Sequence, residues 1–295
     1  MLSAEVVIPT EKRRTLDEIT ERLRHVPNLV AIVLGGSFAR GLARSDSDID
    51  LGLYYRETSP FCIDHIRSIA ESICIPGSVP TVTKPYQWGP WVNGGAWIQT
   101  PTGKVDFLYK NLDQVEAVIE EGRRGVWRHD YDQQPPYGFR SVGYFGEAYF
   151  SVPLSDPDGE IARLKESVAS YPDPLRERIV QDSLWAVEFS LLFCRNFADV
   201  ADVYNATGCI TRIANFLVQA LFALNKEYFV SDKYANRLID QFPSRPCDFS
   251  TRLAAVLANP GGDTGALRKS AESLTLLWRE TVGLTAGTYR PPFRL

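Results

Sequence analysis

The sequence predicts an α+β chain, a small mixed-sheet unit followed by a helical bundle, on three observations. Up to residue 125, short β-branched runs alternate with stretches whose apolar residues recur at helical spacing. From Ile161 onward the apolar period is 3.6 almost throughout, the pattern of a bundle. Between them, residues 125–159 crowd Trp127, Tyr131, Phe139, Tyr144 and Phe150 among glycines and prolines, including Pro135-Pro136 and Pro153. That composition is too aromatic for a disordered tether and too interrupted for long elements. The expected divisions are 1–125, an ordered aromatic connector over 126–160, and a helical domain over 161–295, since 295 residues exceed what one core usually carries.

Taken in order, Thr15 is an acceptable cap for a helix reaching His25, with Leu16, Ile19 and Leu23 on one side. Leu29 to Leu34 is apolar and β-branched, so it reads as a buried strand. Gly35-Gly36-Ser37 ends it, and a second strand runs from Asp48 to Tyr54. Ser59-Pro60 opens a helix with Ile63, Ile66, Ile69, Ala70 and Ile73 on its apolar face. A short strand over Thr81–Thr83 and a turn at Asn93-Gly94-Gly95 lead to a hairpin, Ala96–Thr100 with Lys104–Tyr109, closed by Pro101-Thr102-Gly103. Asn111 caps a helix reaching Arg124. In the second half, breaks at Tyr171-Pro172, Thr207-Gly208, Ser231-Asp232, Pro243 and Pro260-Gly261-Gly262 predict helices over Pro172–Ala206 and Thr211–Phe229, and Thr288–Phe293 is a non-helical tail.

The chemistry concentrates where the first strand ends. Gly35 and Gly36 have no side-chain bulk, so the chain can turn sharply there and its N–H groups can approach a phosphate; a helix beginning at this point would face the anion with the positive end of its dipole. In the next strand, period-two geometry puts Asp48 and Asp50 on one face and Ile49 on the other. Two adjacent carboxylates repel, and a divalent ion that neutralises both relieves them. Oxygen-only ligation is how Mg²⁺ is usually held. The plainer reading is that Ser45-Asp46-Ser47-Asp48 is a polar turn before a strand.

Gly-Ser after an apolar strand, followed by Asp-x-Asp in the next, resembles the signature of the nucleotidyltransferase superfamily that includes DNA polymerase beta. An α/β unit followed by a helical bundle resembles, in architecture alone, the bacterial antibiotic and small-substrate nucleotidyltransferases, whose active site lies between the two halves. The resemblance implies a third carboxylate on a neighbouring strand. Asp106 falls there, between Val105 and Phe107 and so pointing away from the face they bury. It also implies that Asp48, Asp50 and Asp106 hold Mg²⁺, that Asp106 serves as metal ligand or general base, and that Gly36 and Ser37 bind the β- and γ-phosphates. Lys226, Tyr228 and Lys233 resemble Lys and Tyr residues that bind nucleotide in related enzymes; a charged helix end with solvated lysines is the plainer reading. Asp182, Glu188, Arg212 and Asn215 are further bundle candidates for the acceptor, and the sequence does not choose among them. Tyr86, Trp88, Trp91 and Trp97 are placed either to stack on a ring of the substrate or to pack within the sheet.

The expected reaction is Mg²⁺-dependent transfer of a nucleoside monophosphate, AMP from ATP, to a hydroxyl with release of pyrophosphate. The acceptor stays open between an aminoglycoside or lincosamide antibiotic, a tRNA end and a protein hydroxyl. A nucleotide-binding module without turnover is the alternative of another class. The net charge of −4 argues against tight, sequence-independent nucleic-acid binding and favours a small-molecule acceptor. Five scattered cysteines and three isolated histidines give no zinc site and no His-based triad, and the cysteines read as reduced. Glu11-Lys12-Arg13-Arg14 stands where a signal peptide would need an apolar core, and no run is expected to reach the length of a membrane span, so a cytoplasmic location is expected. Oligomeric state is left open.

Overall fold

The computed structural model describes residues 7–293. The chain divides into two units, one built from residues up to Glu120 with His129–Ser170, the other from Glu121–Arg128 with Tyr171 onward. The first contains α1 (Thr10–Leu23), β1 (Ala31–Leu34), α2 (Gly36–Ala39), β2 (Ile49–Tyr55), α3 (Ile63–Ile73), β3 (Thr81–Val82), β4 (Gly95–Thr100), β5 (Gly103–Asn111) and most of α4 (Leu112–Arg123). These are the expected elements with shifted ends. Helix α1 starts before Thr15, directly after Pro9, and the Thr15 hydroxyl donates back to the Glu11 carbonyl from inside the helix at 3.2 Å rather than capping it.

Strands β3, β4, β5, β2 and β1 lie side by side in that order in a six-stranded sheet. Only β2 and β5 pair in parallel; the other neighbours are antiparallel. Strand alternation separates the two faces. Ile32, Leu34, Ile49, Leu51, Leu53, Val105 and Phe107 point to one side, where Leu16, Ile19 and Leu23 of α1 and Ile66 and Ala70 of α3 cover them as the core. Phe38 of α2 is buried in the same cluster and anchors the bend after β1.

The sixth strand corrects the expected connector. Residues 126–160 are mostly part of the first unit: β6 (His129–Asp130) and β7 (Phe139–Arg140) form a small hairpin, α5 (Val142–Phe150) follows, and β8 (Val152–Ser155) pairs antiparallel with β1 at the sheet's edge. Pro153 disguises this strand in sequence, yet an edge position tolerates a residue without an N–H. Helix α6 (Glu160–Ser167), expected at the start of the helical domain, also belongs here. Arg56 reaches Asp113, Glu116 and Glu160 at 2.8, 2.5 and 3.1 Å, and Lys165 donates to the carbonyls of Tyr149 and Ser151 at 2.7 and 2.6 Å. Both tie α6 to the unit that precedes it.

The second unit is helical: α7 (Asp173–Asp199), α8 (Val203–Leu224), α9 (Ala235–Ile239), α10 (Phe249–Ala258) and α11 (Thr264–Gly283). The expected break at Thr207-Gly208 falls inside α8. The chain turns earlier because the Asp202 side chain accepts from the Asn205 N–H and caps α8, while Gly208 sits in open space. Helix α8 ends at Leu224 instead of Phe229, where Lys226 adopts φ 55°. By length and composition alone α8 could cross a membrane, which the sequence reading did not anticipate; 61% of that apolar window is buried inside the protein, as in the central helix of a bundle.

Glu188, fully buried on α7, holds the tail. It accepts from the Tyr289 hydroxyl and, at 2.8 Å, from the Phe293 N–H. Tyr289→Phe removes one donor from a buried carboxylate and is expected to lower unfolding free energy in urea by about 1–3 kcal/mol.

Candidate active site

The face of the sheet opposite the core carries the carboxylates. Asp50 on β2 and Asp106 on β5 are direct partners in the parallel register, so their side chains project from neighbouring positions on the same face. Asp48, immediately before β2, lies two residues from Asp50 and shares that side. The bend after β1 is tied to the same place, for the Gly35 N–H donates to the Asp50 carbonyl at 2.8 Å. Gly36 then adopts φ +59°, and a Cβ built on it would lie 1.8 Å from Asp50 Oδ2. Glycine is required twice over, by the left-handed backbone and by the carboxylate against it. Ser37 follows in the first turn of α2, whose leading N–H groups have no helical partner.

Farther along the same face the sheet is covered. Tyr54 and Lys110 are register partners, and Lys110 meets Glu147 of α5 at 2.6 Å with its ammonium over the Tyr144 ring. The acidic end, by contrast, is bordered by tryptophan. Trp97 of β4 is the antiparallel partner of Asp106 and shares its side of the sheet, and the half-exposed Trp88 stacks on it with centroids 3.8 Å apart and planes 16° from parallel.

A lysine that sequence reasoning missed sits among the acids. Lys104 Nζ is 2.8 Å from Asp106 Oδ2 and 3.4 Å from Asp48 Oδ2. Its signal was present, since Lys104 precedes Asp106 by two and alternation must place both on one face. Burial pushes the Asp106 carboxyl above the usual range, against the hydrogen bond and charge of Lys104, and Asp48 adds to the rise. Burial works against the Lys104 charge, yet the bond and charge of Asp106, with Asp48 behind it, hold its pKa above the ordinary value.

Asp106 is only 8% exposed and its Oδ1 has no hydrogen-bond partner. Three carboxylates without His or Cys form a hard oxygen donor set, and an unpartnered buried oxygen within it fits a cation such as Mg²⁺. Among the described residues no group of three or more His, Cys, Asp or Glu side chains is drawn together as a formed metal cage; between Asp48 and Asp106 stands the Lys104 ammonium.

Residues 14–121 match the family model described as a nucleotidyltransferase domain. Over these residues the chain is similar to the nucleotidyltransferase superfamily. The match covers β1, the glycine bend, β2 and β5, and so contains every residue of the carboxylate site. The nucleotidyltransferase domain implies a nucleoside triphosphate substrate and general nucleotidyl transfer, and the family generally works with a divalent metal. Residues 150–235 match a second model, a domain of unknown function, DUF4037. No curated protein matches the chain. A solved structure described as a nucleotidyltransferase-like protein from Exiguobacterium sibiricum 255-15 is similar at 12% identity and a TM-score of 0.45, covering 94% of this chain and 78% of that one.

Asp48, Asp50, Asp106, Gly36 and Ser37 thus lie together in the nucleotidyltransferase domain. The bundle candidates lie in the second unit, most of them with partners there. Lys226 pairs with Asp173 at 2.9 Å, and Tyr228 is buried with its ring stacked on Tyr171, a core position rather than an exposed platform. Lys233 is exposed in the turn before α9. Asp182 accepts from Trp127 and Arg178, both at 2.8 Å, while Arg212 donates to the Ser190 hydroxyl and Asn215 to Asp232, each at 3.2 Å.

Gly36→Ala is expected to displace the Asp50 carboxylate while leaving the far-ultraviolet dichroism unchanged. Calorimetric titration with ATP and Mg²⁺ should show binding weakened by at least about tenfold, a loss near 1.4 kcal/mol.

Proposed function

We propose that the protein transfers a nucleoside monophosphate, AMP from ATP, to a hydroxyl of a small molecule in a Mg²⁺-dependent reaction that releases pyrophosphate. The observation that carries this reading is the register pairing of Asp50 with Asp106 on adjacent parallel strands, beside Gly36 and next to Asp48. Asp48, Asp50 and Asp106 would hold the metal, which would supply charge neutralisation at the triphosphate and the leaving pyrophosphate. The backbone at Gly36 and Ser37 receives the β- and γ-phosphates. A side chain at position 36 would block both that approach and the Asp50 carboxylate.

The acceptor oxygen attacks the α-phosphorus; the new P–O bond forms as the bond to the bridging α–β oxygen breaks, and pyrophosphate departs with that electron pair. The acceptor's proton passes to the Asp106 carboxylate. Burial suits Asp106 to this, because it raises the carboxylate's proton affinity above that of an exposed aspartate. A binding module without turnover would need neither the third carboxylate nor its raised basicity. The net charge of −4 favours a small acceptor over nucleic acid, and a hydroxylated antibiotic of the aminoglycoside or lincosamide kind is the acceptor class to try first.

Asp48→Ala is expected to abolish label transfer from α-labelled ATP to the acceptor without unfolding the protein. Undiminished transfer in that variant would overturn the assignment. Asp106→Asn keeps the shape and removes both the base and one of the metal-holding carboxylates, so pyrophosphate release should fall by at least roughly 10²-fold. An acceptor panel assayed for pyrophosphate identifies the recipient, and release dependent on added RNA would replace the small molecule with a tRNA end.

A further inference from the structure

Lys104 is a cation bonded to two of the site's carboxylates that the proposed reaction does not use. Its ammonium bridges Asp48 and Asp106 and leaves Asp106 Oδ1, more than nine-tenths buried, without a partner. The bridge is unequal, 2.8 Å to Asp106 and 3.4 Å to Asp48, and the lysine side chain is one-third exposed. A structural clamp on paired carboxylates is better made by arginine, whose planar fork binds them in two bonds at once. Lysine instead places a compact point charge on a flexible four-carbon stem, which can leave as readily as it arrives.

We propose that Lys104 is an exchangeable counter-cation: its ammonium neutralises Asp48 and Asp106 while no metal is bound and withdraws from between them when a divalent cation enters. This rests on the metal-dependent reading of the same site. The carboxylates would otherwise meet as like charges on adjacent strands, at a cost to the folded state. With Lys104 between them, an entering ion must displace a positive charge already in place. The lysine therefore weakens metal binding in the absence of nucleotide and makes it lean on the further ligands that nucleotide phosphates supply. Lys104 is a positioning residue in this account, setting the occupancy of the site without touching the reacting atoms.

The test is Mn²⁺ binding to the full chain without nucleotide, followed by electron paramagnetic resonance, for wild type, Lys104→Met and Asp106→Asn. Lys104→Met removes the charge and keeps most of the stem; Lys104→Gln is the second variant should the first not fold. The neutral variant is expected to bind Mn²⁺ at least about fivefold more tightly than wild type, the lower end of ordinary coupling between sites. It should also melt at a lower temperature without metal and gain more than wild type when Mg²⁺ is added. Asp106→Asn should lose Mn²⁺ binding. Equal or weaker binding by both neutral variants, with Asp106→Asn still impaired, would overturn the role of Lys104 and leave the metal site standing. Absence of Mn²⁺ binding from all of the proteins would overturn the metal-dependent reading and this proposal together.

Discussion

The structure turns on the parallel register of β2 with β5. It sets Asp50 directly beside Asp106, and because side chains alternate along a strand, the same register buries Ile49, Leu51, Val105 and Phe107 on the opposite side. A slip of one residue would put the carboxylates into the core and the core into water. The apolar packing under α1 and α3 therefore fixes the spacing of the acids as firmly as any contact among them. The repulsion of those acids is an expense of the fold, offset by burial elsewhere and locally by Lys104.

Much of the first unit is legible in sequence because its strands are short, apolar and bounded by glycine or proline. Asp106 is found by asking which acid interrupts the next such strand. What is hidden follows from context. Pro153 argues against a strand unless the strand lies at an edge, and edges are a property of the whole sheet. The proximity of Gly36 to Asp50 depends on how β1 leads into its turn; sequence shows that Gly36 permits a bend and not what stands against it. Lys104 was visible by period-two spacing, but a lysine near a hairpin turn looks like ordinary surface until its neighbours are known.

In the helical unit the same kind of reading does less well, for a physical reason. Polar residues at helix ends and in helix interiors find partners within their own bundle: Lys226 with Asp173, Asp182 with Trp127, Asn215 with Asp232. Glu188 shows the difficulty. Flanking Trp185 in sequence, it reads as a surface carboxylate available to an acceptor, yet it lies inside α7 and receives the tail through Tyr289 and Phe293. Helical periodicity separates apolar from polar positions and carries no information about which polar group is committed to another.

The placement of β8 bears on the order in which the protein can mature at the ribosome. β1 and its partner β2 are both made well before β8, so the other flank of β1 has no strand to pair with until Val152–Ser155 has been made. Through all of that interval the nascent chain presents an open row of backbone N–H and C=O groups to any neighbouring chain. The aromatic hairpin and α5, translated in between, defer closure of the sheet, and the proline in its last strand leaves the completed border less receptive to a stranger.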